Sequence, residues 1–100
     1  MFEEGYHTYY IYILTNKTKT FLYTGVTNHL KIRLAQHSEG QTAGFTTRYN
    51  VKYLLYFEKF TWIQEAIARE KEIKGWRREK KLNLITTINP EFNFLNHLFE

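Results

Sequence analysis

Glu70 sits where an ionised side chain costs most. From Thr61 onward apolar residues recur at helical spacing, at Ile63, Ala66, Ile67 and Ile73. At about 100° per residue Glu70 falls in the middle of that stripe, whereas Glu65 and Glu72 turn away to solvent. Burying a carboxylate costs several kcal/mol unless it is paired or coordinates a metal, so Glu70 calls for a cation, an arginine or a proton. A buried ion pair with Arg33 or a lysine is the purely structural alternative. Arg33 and His37 are four residues apart and share one helix face beside Leu30. A guanidinium presents a planar fork of donors suited to phosphate, and an imidazole can donate a hydrogen bond or move a proton. Tyr12 and Tyr23 add two phenols. Each has an ordinary alternative: solvated helix residues for Arg33 and His37, cross-strand packing for the tyrosines.

The elements that must position these groups follow from pattern. Thr8 to Thr15 (TYYIYILT) and Thr20 to Val26 (TFLYTGV) are β-branched and aromatic runs, read as two strands. A four-residue loop over residues 16–19 makes Thr15 face Thr20, and Tyr12 then lies directly opposite Tyr23. Opposed side chains share a face with Cβ atoms roughly 5 Å apart, which brings the phenols together. Thr27 or Asn28 can cap a short helix from His29 to about His37. Ser38 to Asn50, rich in Gly, Ser and Thr, reads as a long loop. Val51 to Lys59 restores strand character, with Val51, Tyr53, Leu55 and Phe57 on one face. The helix carrying Glu70 weakens at Gly75; a further helix spans Glu79 to Thr87, Pro90 ends it, and a last helical piece finishes near Phe99. Residues Met1 to His7 carry little apolar signal and read as a loose tail. The whole predicts one α+β domain over residues 1–100, a three-stranded antiparallel sheet flanked by helices.

Composition narrows the function classes. The chain has 100 residues, 43% hydrophobic and 18% aromatic, enough for a single core without staples. It contains no cysteine, which excludes a disulfide framework and a thiolate zinc site and fits a reducing, cytoplasmic setting. The longest apolar run, Tyr9 to Leu14, is far short of a membrane span. A net charge of +4 and a pI near 9.3 suit a polyanionic partner. From Arg69 to Lys81 seven basic residues face three acidic ones, which concentrates the whole net charge there.

Tyr10-Ile11-Tyr12 followed by Tyr23-Thr24-Gly25, then Gly25-Val26-Thr27-Asn28, Arg33, His37, Arg69-Glu70-Lys71 and Asn89-Pro90-Glu91-Phe92, resembles the GIY-YIG nucleases in their small stand-alone branch. The resemblance covers almost the whole chain, and its order and spacing carry more weight than any tripeptide. It implies a metal-dependent endonuclease acting on nucleic acid, DNA before RNA, structure-directed or weakly specific, in repair or recombination. Carried over by position, Tyr12 and Tyr23 match the motif tyrosines, Arg33 the family arginine, His37 a His/Tyr position and Glu70 the ligand of one Mg²⁺ or Mn²⁺. Asn89, or alternatively Asn83, matches a family asparagine. Three departures stand out: Tyr10 replaces the motif glycine, Thr24 its isoleucine, and Val26 stands where some relatives have lysine.

The resulting expectation is that Glu70 holds the ion, Arg33 neutralises the phosphoryl oxygens, Tyr23 positions water or phosphate, and Tyr12 deprotonates the attacking water. That last role requires a phenol pKa of about 10 to be lowered by neighbouring cations. Arg48, Lys74, Arg77 and Arg78 would contact phosphates, with Asn89 beside them. Two rivals are a non-catalytic nucleic-acid-binding module of the same fold and a small protein-binding domain with a solvated basic face.

Overall fold

In the computed structural model, residues 8–41 and 44–100 are described; the tail expected over Met1 to His7 lies outside them. Three antiparallel strands, β1 (Tyr9–Thr15), β2 (Leu22–Thr27) and β3 (Tyr53–Phe60), form a sheet in the order β2-β1-β3. Helices α1 (Leu30–Ser38), α2 (Phe45–Arg48), α3 (Ile63–Lys74) and α4 (Arg78–Thr86), with a 3₁₀ turn at Asn96–Phe99, complete an α+β fold. Among the described residues no helix is long and apolar enough to cross a membrane.

Alternation along β1 builds both sides of the sheet. Ile11 and Ile13 pack with Tyr56, Leu55, Ala66, Ile73 and Ile85 on the α3/α4 side. Tyr12 and Leu14 pack with Leu30, Leu34, Val51 and Leu54 on the α1 side. Each such fully buried aliphatic chain contributes about 1.5–3 kcal/mol, which is what holds α1 and α3 to opposite faces.

The hairpin register differs from expectation by two residues. Tyr12 pairs with Gly25, and Tyr23 pairs with Leu14. The reason is Asn16, whose side-chain oxygen accepts from the backbone N–H of Thr20 (2.8 Å) and Phe21 (3.0 Å) and so removes both from strand pairing. Lys19 at φ 60° completes a loop of residues 16–21 instead of 16–19. A shift of two preserves the face of every side chain, so Tyr12 and Tyr23 remain on the same side as diagonal neighbours.

Other boundaries moved for local reasons. His29, not Thr27 or Asn28, caps α1, its Nδ1 accepting from Ile32 N at 3.4 Å, while the Thr27 hydroxyl accepts from His29 N. One turn of helix, α2, interrupts the loop expected from Ser38 to Asn50. In β3 the pairing jumps from Ile13–Tyr56 to Leu14–Leu54, a bulge that places Leu55 with the α3 side and Leu54 with the α1 side. The single face expected for Val51, Tyr53, Leu55 and Phe57 is therefore split. On α3, Ala66, Glu70 and Ile73 are buried, but Ile63 and Ile67 are 36% and 38% exposed, so the apolar stripe is narrower than its spacing suggested.

Candidate active site

The centre of the site is the Tyr12 phenol, 1% exposed in the middle of the central strand. Its cross-strand partner is Gly25, where a Cβ would fall 2.5 Å from both Cζ and Oη of Tyr12. Only a residue without a side chain lets the phenol extend across β2. Tyr23, half-buried two residues back along β2, sets its ring 6.4 Å from that of Tyr12.

From α1, His37 closes over both phenols, with ring centroids 5.9 Å from Tyr12 and 5.8 Å from Tyr23. Its Nε2 is 3.2 Å from the Tyr12 hydroxyl, a buried hydrogen bond. Leu30 and Leu34, buried against the sheet, hold the helix in that position. Arg33 lies one turn before His37 and is half-buried. Its charge acts on both Tyr12 and His37.

α3 supplies the acid. Glu70 is buried at 8% exposure and pairs with Lys74, Nζ to Oε2 2.6 Å, at i,i+4. Of the alternatives open from sequence, a lysine is the partner. The Lys74 ammonium also lies 5.9 Å from the Tyr23 ring. Lys74 is 55% exposed while the Glu70 side chain is 11% exposed, so the carboxylate is enclosed but its counter-ion is open to solvent.

These neighbours set the protonation states. Burial, with the Tyr23 phenol and the Glu70 carboxylate adding to it and Arg33 opposing, holds Tyr12 well above the ordinary phenol range. Burial, reinforced by Arg33, pushes the His37 imidazole below its ordinary value, so it is neutral at pH 7. With the ring proton on Nδ1, the Tyr12 hydroxyl donates to Nε2. The hydrogen bond from Lys74 to Glu70 raises the lysine and keeps it charged.

The structure thus brings Tyr12, Tyr23, Arg33, His37 and Glu70 to one place, with Lys74 joining them. Arg48, Arg77 and Arg78 are exposed outside it, and Arg78 donates to Lys19 O at 2.9 Å. Asn89 corrects an expectation. It is 4% exposed, its Nδ2 donates to Leu55 O and Asn93 O at 2.9 Å each, and its Oδ1 accepts from Asn93 N. With every polar atom engaged inside the fold, it braces the β3 bulge and has nothing left for a nucleic acid. Asn83, the alternative, is exposed on α4. Sequence reasoning did not single out Gly25 for its steric role or Lys74 as the partner of Glu70. The i,i+4 order of Glu before Lys carried the second signal.

A second carboxylate network lies on the α3 face. Arg69 grips Glu58 through Nε and Nη2, both at 2.9 Å, and reaches Glu72 through Nη1 at 3.0 Å, while the Tyr56 hydroxyl donates to Glu58. Burial works against the Glu58 charge, but the hydrogen bonds from Arg69 and Tyr56 outweigh it and hold the carboxyl below its usual range. The network is fully paired and fastens α3 to β3.

Comparison with known proteins bears on the family and the fold. The model of the GIY-YIG catalytic domain matches residues 8–83. A UPF0213 protein of Staphylococcus haemolyticus is 39% identical over 77 residues, covering 77% of this chain and 93% of the relative. A UPF0213 protein of Clostridium perfringens is 42% identical over 78 residues, covering 78% and 83%. The solution NMR structure of a UPF0213 protein from Bacillus halodurans superposes with a TM-score of 0.56 at 29% identity, covering 85% of this chain and 89% of that one.

Proposed function

Since the chain belongs to the GIY-YIG catalytic domain family, a family of nucleases, we propose that it is a divalent-metal-dependent endonuclease hydrolysing phosphodiester bonds in DNA. Target choice would follow the shape of the DNA more than its sequence, with repair or recombination as the setting. The observation that supports this reading is the convergence of Tyr23, His37, Arg33 and Glu70 on the Tyr12 phenol.

Glu70 fits a weakly held, hydrated Mg²⁺ or Mn²⁺. Its carboxylate is enclosed, and the positive charge already beside it sits on a side chain that can withdraw to water. Among the described residues no group of three or more acidic or histidine side chains forms a cage. With Glu70 as the one protein carboxylate, Mg²⁺ would have to keep waters and take further ligands from the substrate phosphate. When bound, the ion would contact the scissile phosphate and stabilise charge on the leaving oxygen.

The chain's own residues would do the rest. Arg33 neutralises the phosphoryl oxygens with its planar fork. Tyr12 does not wait as a phenolate, because its environment raises its pKa where the sequence reading called for lowering. Instead it passes its own proton to Nε2 of neutral His37 while accepting one from the attacking water, a relay along the 3.2 Å hydrogen bond. Tyr23 and Lys74 flank the phosphate. Arg48, Arg77 and Arg78, all exposed, extend the cationic track for the flanking strand.

The test is incubation of the purified chain with flap, junction, duplex and single-stranded substrates in Mg²⁺ or Mn²⁺, with a parallel series in EDTA. Cleavage confined to the metal series is expected. Binding without cleavage on every substrate would favour a non-catalytic module, and undiminished cleavage in EDTA would remove the metal from the mechanism.

A further inference from the structure

Phe21, immediately before β2, is in ring contact with one residue of the one-turn helix α2 and with its C-cap. Its centroid is 4.6 Å from that of Tyr49 and 5.5 Å from that of Phe45, and those two are 5.0 Å apart. Three rings in mutual contact would ordinarily bury one another. Yet Phe45 remains 41% exposed and Tyr49 37% exposed. The rings adjoin a surface pocket of about 240 Å³ lined by Thr20, Phe21, Leu22, Phe45, Arg78 and Lys81. That is smaller than a drug-sized site of roughly 300–1,000 Å³ and suits one planar ring system. The Arg48 guanidinium lies 5.5 Å from the Tyr49 ring, so both sides of the cluster carry cations.

We propose that Phe21, Phe45 and Tyr49 form a stacking site for one unpaired base of a DNA strand, with Arg48, Arg78 and Lys81 holding the phosphates on either side. Aromatic faces beside cations are the combination that binds single strands, because every base has a π-face and every nucleotide a phosphate. Paired bases are already stacked and present only their edges. The charge on the rim selects a nucleic acid over an apolar peptide. Phe21 and Tyr23 pack on the same side of β2, two residues or roughly 7 Å apart, so a base held here neighbours the phosphate at the Tyr12–Glu70 site. The choice of substrate therefore rests on the nuclease reading above, whereas the stacking site itself does not. Together they describe an enzyme that cuts next to an unpaired nucleotide.

The experiment uses the full chain in EDTA, so that nothing is cut, with an oligodeoxythymidine carrying one 2-aminopurine as probe and the same strand annealed to its complement as control. Stacking on the rings quenches 2-aminopurine, and the single strand is expected to show quenching and tighter binding than the duplex. Phe45→Leu combined with Tyr49→Leu keeps apolar volume but removes the π-faces. This variant should lose the quenching and bind the single strand about 10-fold or more weakly, with duplex binding unchanged. The corresponding double Ala variant should behave alike; where it fails to fold, the Leu variant decides. A Leu variant that quenches and binds as the parent does, or a parent that does not quench, overturns the stacking site. Quenching without cleavage of any substrate in Mg²⁺ would leave the stacking site standing and remove the nuclease reading. Cleavage with a Leu variant equal to the parent would do the reverse.

Discussion

The Tyr12 phenol occupies the volume that a side chain at Gly25 would need, with Cζ and Oη both 2.5 Å from the Cβ position. Gly25→Ala is therefore expected to displace the ring, costing about 1–3 kcal/mol as overpacking and most of the activity. In a Tyr12→Leu background, where the end of the ring is gone, the same substitution should cost far less. A double-mutant cycle by denaturant unfolding measures the coupling. Equal costs in both backgrounds would mean that Gly25 serves the backbone and not the phenol.

Glu70→Gln is expected to abolish cleavage while DNA affinity is kept. The stranded Lys74 is 55% exposed, so the lost pair should cost no more than about 1 kcal/mol, unlike the fully buried pair that the sequence left open. Melting temperature and nuclease rate on the same preparation check both halves. A well-folded variant that cuts at the parent rate would remove Glu70 from the chemistry.

Thr24 is 3% exposed, and its hydroxyl finds no hydrogen-bond partner among the described residues. It points away from Tyr23 and Gly25, toward the α3 side of the sheet, since it pairs with Ile13. Thr24→Val keeps the shape and removes the unsatisfied group, so stability should rise by about 1 kcal/mol or more with cleavage unchanged. Unchanged or lower stability would point to a water serving that hydroxyl.

The depressed His37 makes stability depend on pH in a defined direction. The unfolded imidazole takes up a proton near pH 6.5 and the folded one only at lower pH, so between the two the unfolded state binds more protons. Stability should therefore fall as pH drops below about 6.5, and cleavage with it, because protonated His37 no longer accepts from Tyr12. Glu58, held below its usual range, adds a separate loss in the more acidic carboxylate window. Thermal melts at about pH 7.5 and about pH 5.5 should differ less for His37→Gln than for the parent. An equal difference would place the titrating group elsewhere.

Much of this site could be read in the residues because its errors preserved the right parity. A four-residue loop was the default for the hairpin, and nothing in NKTK announced that Asn16 would capture two N–H groups. Because the slip was two residues, Tyr12 and Tyr23 kept their face. Glu70 stood out through a stripe that included Ile63 and Ile67. Those two are substantially exposed, yet Ala66 and Ile73 alone place Glu70 inward. The bulge was illegible since Leu54, Leu55 and Tyr56 are successive apolar residues buried on both faces, which leaves no alternation to break. Asn89 entered by resemblance, and its bonds to Leu55 and Asn93 depend on a chain path that periodicity does not encode.

The sheet order β2-β1-β3 has a consequence for the chain as it is made. β1 precedes both of its neighbours in sequence yet lies between them, so a nascent chain can close the hairpin and bring its two phenols to one face while one edge of β1 is still bare. Glu70 and Lys74 emerge from the ribosome only after β3 has passed to fill that edge. An unfinished chain thus carries half of the candidate site and lacks Glu70. On the nuclease reading, synthesis interrupted anywhere before α3 would yield products without the carboxylate on which cleavage is proposed to depend.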